Sequence, residues 1–345
     1  MHIFITGGAG FVGCNLAAHH LAQGNHVTVF DNLSRARTEH NLHWLQHDVP
    51  KAGNATLHFA KGDIRDFEAL QAVVAVAQPD LIVHLAAQVA VTTSIKNPRE
   101  DFEINALGTF NVLEAARAQA QPPAVFYAST NKVYGGLDDL TLVEDATRYR
   151  LRDCPDGVPE IQPLDFHSPY GCSKGAADQY VRDYARIYGM RTVVFRQSCI
   201  YGERQFGVED QGWVAHFVIA AAYNKPINIY GNGKQVRDLL NVQDLVNVYD
   251  RAWDKLDAVS GQAFNIGGGA HNTLAIWSEF GPFLEELSER KIQVTRSDWR
   301  AGDQPVFISD NTKAKTLLGW EPKIEAHAGI TQLWEWVTKN PHLFT

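Results

Sequence analysis

The chain has 345 residues, 45% of them hydrophobic and 20% charged, with a formal net charge of −8 at pH 7. Such a length allows a large core and two lobes. The acidic balance excludes a general nucleic-acid binder, which would carry a basic face, and leaves open a small anionic ligand held by a few local arginines. The four cysteines (Cys14, Cys154, Cys172, Cys199) form no C-x-x-C pair, and read as reduced residues, not a disulfide frame or zinc site.

The first strand is expected at residues 2–6. No basic leader precedes it, and no later stretch is apolar enough to span a membrane, so no membrane association and a cytoplasmic location are expected. Gly7, Gly10 and Gly13 follow with the spacing G-x-x-G-x-x-G, and an Ala/Leu-rich helix runs on to about residue 23. Strand, glycine turn and helix form the context of a dinucleotide fingerprint: a tight turn, a backbone that approaches pyrophosphate, and close helix–strand packing. Gly7, Gly10, Phe11 and Val12 are the candidate pyrophosphate contacts at the helix N-terminus. The second strand (27–30) ends at Asp31, about 20 residues beyond the glycines, where a carboxylate meets the adenosine ribose hydroxyls. The Asp31 carboxylate therefore favours NAD over NADP, with the adjoining Asn32 a further candidate cofactor contact; Arg35 and Arg37 leave the opposite preference open. His40, His43 and His47 share a helical face without a matching carboxylate or cysteine, and no metal is assigned.

Alternation of strand and helix continues. Asp63 and Ile64 end a strand where adenine would lie. The buried strand 81–85 closes in Leu85, Ala86, Ala87 and Gln88, whose small residues let a cofactor cross its carboxyl end. Thr92, Thr93 and Ser94 add hydroxyls. Residues 105–114, starting with Asn105, read as a crossover helix, and strand 124–128 ends in Ser129 and Thr130. Repeated βα units with ligand groups at strand ends predict an α/β fold, a Rossmann-type doubly wound parallel sheet, with a smaller interleaved α/β substrate lobe.

In Ser168-Pro169-Tyr170-Gly171-Cys172-Ser173-Lys174, Ser168 is the expected N-cap, with proline in the first turn. Lys174 then lies one turn beyond Tyr170 on the same face. A free phenol, with a pKa of about 10, is a poor base at neutral pH. A neighbouring ammonium and the positive helix end both favour its anion.

The glycine pattern, Ser129-Thr130 with Val133-Tyr134-Gly135, the Tyr170/Lys174 pair, Arg237-Asp238 and the closing Leu318-Gly319-Trp320-Glu321-Pro322 together resemble the extended short-chain dehydrogenase/reductases, in their NAD-dependent nucleotide-sugar epimerase/dehydratase branch. The resemblance runs nearly the whole chain. It implies NAD as cofactor, Tyr170 as acid/base, Thr130 as the hydroxyl that bonds the reacting sugar oxygen, and Lys174 on the nicotinamide ribose. Asn105, Ser129 and Arg196 would line the cofactor. Thr93, Asn131, Lys132, Gln197, Arg204, Arg237 and Arg300 would meet a nucleotide sugar, guanidinium being suited to phosphate. It implies a homo-oligomer, a dimer or tetramer.

In the dehydratases of that branch the threonine is followed by Asp-Glu, the acid/base pair for eliminating water. Here Asn131-Lys132 follows Thr130, which points to an epimerase. The 129–135, 164–180 and 204–213 segments resemble the CDP-paratose 2-epimerase subgroup, with a departure at Gln197, where histidine is expected. That resemblance implies a CDP-hexose or CDP-dideoxyhexose epimerised at C2. A UDP-sugar 4-epimerase, a 2-epimerase with relaxed choice of CDP- or GDP-hexose, and a non-catalytic NAD-sensing regulator are the alternatives. The expected division is 1–198 plus about 237–256 for the cofactor domain, and 199–236 plus about 257–345 for the sugar-nucleotide domain, with the long insertion 136–167 placed to line the sugar pocket.

Overall fold

The computed structural model describes residues 1–300 and 302–344. Among them, seven strands form one sheet in the order Gln262–Ile266, Thr192–Gln197, Ala124–Thr130, Leu81–His84, His2–Thr6, His26–Asp31 and Leu57–Lys61. The first strand pairs in parallel with two neighbours, setting Thr6 opposite Phe30 on one side and His84 on the other. Ile3, Phe4, Ile5, Ile82 and Val83 are fully buried. Such runs lack polar alternation because helices cover both faces of the sheet. Strand order reverses between His2–Thr6 and Leu81–His84, and in an open α/β sheet that point leaves a crevice at the strands' carboxyl ends.

Helix Phe11–Ala22 leaves the glycine turn and buries Leu16, Ala17 and Leu21. Helix Phe67–Ala77 starts at Asp66, whose side chain accepts from the Ala69 amide. The expected crossover helix is made in two pieces, a π-helical turn Glu103–Leu107 and the α-helix Gly108–Arg117. The long helix Ser168–Tyr188 buries Ala177, Val181 and Tyr184, three positions on one 3.6-residue face. They join Phe4, Ile82, Val125 and Val194 in a core cluster.

The chain divides into two compact units. The first holds residues 1–130, 168–196 and 246–264; the second holds 131–167, 197–245 and 265 onward. This differs from the expected division in two places. The insertion belongs with the second unit because Val133, Tyr134, Leu137, Leu151 and Val158 bury themselves against Val236, Ala275, Val306 and Phe307. The late return to the first unit runs 246–264, not 237–256, because the sheet takes its seventh strand from Gln262–Ile266 and not from the segment around Arg237.

Within the second unit, strand Val236–Asp238 lies between Thr273–Ala275, antiparallel, and Val306–Phe307, parallel. Helices Trp213–Ala222, Phe280–Ser288 and Ala326–Lys339 supply Phe217, Phe280, Ile330 and Leu333 to its core. The insertion carries a short antiparallel pair, Leu142–Glu144 with Tyr149–Leu151.

His40, His43 and His47 lie on helix Thr38–His47 with exposed side chains. Among the described residues no helix is long and apolar enough to cross a membrane.

Candidate active site

Tyr170 enters the first turn of helix Ser168–Tyr188 after Ser168, whose φ of +64° turns the chain and whose Oγ accepts from the Gly171 amide at 3.2 Å. The Tyr170 amide donates to Ser94 Oγ, which is fully buried, so the short helix Val91–Lys96 holds the start of the long one. Tyr170 and Thr130 are 8% and 7% exposed, and the two hydroxyls are hydrogen-bonded. This is the arrangement an acid/base pair at a sugar hydroxyl needs.

Lys174 departs from the expectation in its bearing on the phenol. Its Nζ donates to the Ala128 carbonyl at 2.5 Å and lies 4.2 Å from the centre of the Tyr127 ring. Burial pushes the Tyr170 phenol up to about 12, with the Thr130 hydrogen bond holding it down and the Asp101 charge raising it further; Lys174 is not among the causes. Burial likewise lowers Lys174 to about 7, against the pull of Asp178 and Asp101. One turn of helix aligns the two side chains, but the ammonium spends its reach on a carbonyl and an aromatic face.

At the glycine turn, Gly7 has φ +69°, and a Cβ there would stand 2.7 Å from the Ala86 amide nitrogen. A Cβ on Gly13 would lie 2.3 Å from the Gly7 carbonyl oxygen. Both places admit backbone only, as a pyrophosphate cradle at a helix N-terminus requires. Phe11 and Val12 form the helix's first turn. Asp31 ends its strand 9% exposed; its Oδ2 accepts from the Ala9 amide at 3.0 Å and its Oδ1 from the Leu33 amide at 2.8 Å. The carboxylate is thus oriented by the turn itself. The glycine-turn backbone and this acceptor carboxylate fit a dinucleotide with free ribose hydroxyls. Asp31→Ala should weaken NAD binding by about ten- to a hundredfold, the worth of a charge-assisted hydrogen bond. Titration calorimetry with NAD and NADP reads this, and the preference for NAD should shrink alongside.

At the strand end where adenine is expected, Asp63 is drawn down to about 2 by a bidentate contact with Arg65, and it also accepts from Asn32 Nδ2 at 2.9 Å. Ile64 is buried, and its carbonyl accepts from Asn111. The Leu85 and Ala86 amides approach the Thr6 hydroxyl at 3.2 Å each, and Ala87 follows in the same loop. The Gln88 amide donates to Asn105 Oδ1 at 2.9 Å, tying that loop to the π-helical turn. Thr93 sits exposed on helix Val91–Lys96.

Ser129 and Arg196 are turned elsewhere than expected. Ser129 Oγ donates to Asp178 Oδ2 at 2.8 Å, and the Arg196 guanidinium holds the same carboxylate with two bonds of 2.9 and 3.0 Å, all buried. Both side chains are thus engaged by one buried carboxylate, through an ion pair from Arg196 and a hydrogen bond from Ser129.

In the second unit the expected sugar-nucleotide residues fall into two groups. Arg237 donates to Asp303 at 2.6 Å, and Lys132 Nζ lies 4.0 Å from the same carboxylate and 3.1 Å from the Gly302 carbonyl. Burial, followed by the Arg237 charge, lowers Lys132 to about 8. Asn131 Nδ2 donates to Gln304 Oε1 at 3.1 Å beside them. Gln197 opens a segment of this unit, half-buried. Arg204 and Arg300 stand apart. Arg204 lies over the Trp336 ring, and Arg300 covers Tyr230 at 3.8 Å and pairs with Glu209 and Asp210.

The model of the GDP-mannose 4,6 dehydratase family matches residues 4–333. The chain belongs to this family of NAD-dependent epimerases and dehydratases. It is 46% identical over 343 residues to the CDP-paratose 2-epimerase of Salmonella typhi, covering 98% of this chain and 99% of that one. A solved UDP-glucose 4-epimerase of Thermotoga maritima with UDP-glucose superposes with a TM-score of 0.82 at 29% identity, covering 99% and 100% of the two chains. The Thermus thermophilus UDP-glucose 4-epimerase in complex with NAD gives 0.80 at 28% identity, covering 97% and 98%.

Three acids carry roles that the sequence did not assign to them: Asp101, Asp178 (within the 164–180 segment) and Asp303. Each binds a residue that the motifs do reveal. Asp101 and Asp178 are buried positions on helices, Asp178 between Ala177 and Val181, whereas Asp303 lies outside any helix or strand and has no local signal.

Proposed function

We propose that this chain is an NAD-dependent nucleotide-sugar epimerase that inverts C2 of a CDP-linked hexose or dideoxyhexose. The epimerase activity itself follows from family membership and from the full-length likeness to epimerases. The observation that carries the reading beyond that is the pair after Thr130. Asn131 is an amide bonded to Gln304, and Lys132 is a cation beside Asp303. Neither can serve as the carboxylic acid/base pair that water elimination demands. The 46% identity to a CDP-paratose 2-epimerase supports C2 and the cytidine nucleotide.

When bound, NAD supplies the hydride acceptor and donor, and its positive ring favours the phenolate. Tyr170 takes the proton of the C2 hydroxyl as the C2–H bond breaks, and Thr130 holds that oxygen. The keto sugar then turns about its link to the diphosphate, and Tyr170 returns the proton after the opposite face is reduced. Arg237 and Lys132 are the cations assigned to the substrate's anionic portion, so that a firmly held nucleotide supports chemistry at a loosely held sugar.

A homo-oligomeric state is part of this reading. Exposed Phe102, Phe110, Tyr180 and Ile187 in the first unit are the apolar side chains that a second copy would cover.

The test is a panel of CDP-, UDP- and GDP-sugars, with products resolved by NMR. The expected product is the C2 epimer of a CDP-sugar. A substrate deuterated at C2 should keep its label; washout into solvent would contradict direct hydride return. Inversion at C4 of a UDP-sugar would replace the reading with the UDP-sugar 4-epimerase alternative.

A further inference from the structure

Beside the catalytic helix the fold buries a carboxylate that the mechanism does not use. Asp101, on the short helix Pro98–Phe102, is 1% exposed. Its Oδ2 accepts from Ser173 Oγ at 2.5 Å, and its Oδ1 accepts from Gln88 Nε2 at 2.7 Å and Asn105 Nδ2 at 3.1 Å. Three separate pieces of chain converge here: the catalytic helix, the loop after strand Leu81–His84, and the π-helical turn. Ser173 Oγ also lies 3.2 Å from the Tyr170 carbonyl oxygen, so the cluster grips the turn that carries the phenol. Asn105 closes the ring by donating to the Gln88 carbonyl at 2.9 Å.

We propose that Asp101 is a positioning residue of the epimerase, clamping the first turn of the catalytic helix to the loop after the fourth sheet strand and keeping a negative charge beside Tyr170 and Lys174. A buried acid with only apolar neighbours would be expelled or neutralised. This one is held by three donors and faces a cation. Burial raises its carboxyl, with the bonds from Ser173 and Gln88 and the Lys174 charge opposing. The charge acts on both partners in one direction, raising Tyr170 and raising Lys174. Asp178, on the catalytic helix, acts on Lys174 alongside it. Other charges near Asp101 are directed outward or paired: Lys96 on helix Val91–Lys96 is exposed, and Arg99 bonds Glu103 at 2.8 Å.

The effect on turnover rests on the epimerase reading; the effect on cofactor binding does not. In the full-length protein, Asp101→Asn keeps the shape and one acceptor oxygen while removing the charge. Tyr170 and Lys174 then both fall, so both limbs of the kcat–pH profile should move to lower pH by about one unit. The pH at which NAD affinity declines, as Lys174 loses its proton, should move the same way by calorimetry. Ser173→Ala keeps the charge and cuts the tether. It should lower kcat about tenfold at every pH, through a misplaced phenol, without moving either limb. Superimposable pH profiles of Asp101→Asn and the parent would overturn the charge role, and an unchanged kcat in Ser173→Ala would overturn the clamp. If no nucleotide sugar turns over but the NAD inflection moves in Asp101→Asn, the epimerase reading fails and the electrostatic role of Asp101 stands.

Discussion

Tyr170→Phe should lower kcat by about a thousandfold or more while leaving NAD affinity and the thermal midpoint close to those of the parent protein. The substitution removes one oxygen from a side chain that is 8% exposed and otherwise packed as an aromatic ring. Phenylalanine fills the same space, and the Thr130 hydroxyl loses one of its partners. What disappears is the group proposed to exchange a proton with the sugar hydroxyl, and general acid/base catalysis contributes about 10²–10⁴-fold. Because oxidation and re-reduction each use that proton transfer, both half-reactions should slow together. Adding nucleotide sugar to the NAD-loaded variant should therefore produce almost no NADH absorbance. A variant that kept a tenth of the parent turnover would remove Tyr170 from the mechanism.

Asp178→Ala should be the most destabilising single change within the first unit's polar interior. Asp178 is fully buried, and its carboxylate receives two bonds from Arg196, which is 2% exposed, and one from Ser129. A guanidinium cannot shed its proton to escape burial. Removing its partner leaves an uncompensated charge, a loss of about 3–5 kcal/mol. Chemical denaturation should show the midpoint falling with little change in slope. The double variant Asp178→Ala/Arg196→Met should recover most of the loss, since a buried ion pair is often replaceable by apolar side chains. Lys174 also loses an anionic neighbour in the single variant, so turnover at neutral pH should fall. An unchanged midpoint in Asp178→Ala would show that water reaches Arg196 and that the pair is not the buried hub described above.

The residues legible in one dimension are those whose chemistry depends on local geometry. A glycine turn between a strand and a helix, a carboxylate at the next strand's end, and a Tyr and Lys one helical turn apart are each specified within a few residues. Their placement at the sheet's carboxyl edge follows from parallel topology alone. Ser129 and Arg196 show the limit of that logic. Both stand at strand ends where a cofactor group would be expected, yet Asp178 from another helix takes both side chains. Lys174 shows it again, because its backbone position was predictable and its nearest charge and carbonyl partners were not. The insertion after Gly135 announces itself by length, but only its apolar contacts assign it to the second unit.

Order along the chain therefore suffices for the fold class, for the strand–glycine turn–helix and for the Tyr–Lys spacing on which the proposed roles rest, because hydrophobic period, φ preference and capping act over one or two turns. Folding in three dimensions was needed to set the electrostatics of the site. Charges act through space over several ångströms, and the acids that bear on Tyr170 and Lys174, Asp101 and Asp178, acquire their strength from burial, which no local pattern of residues can specify.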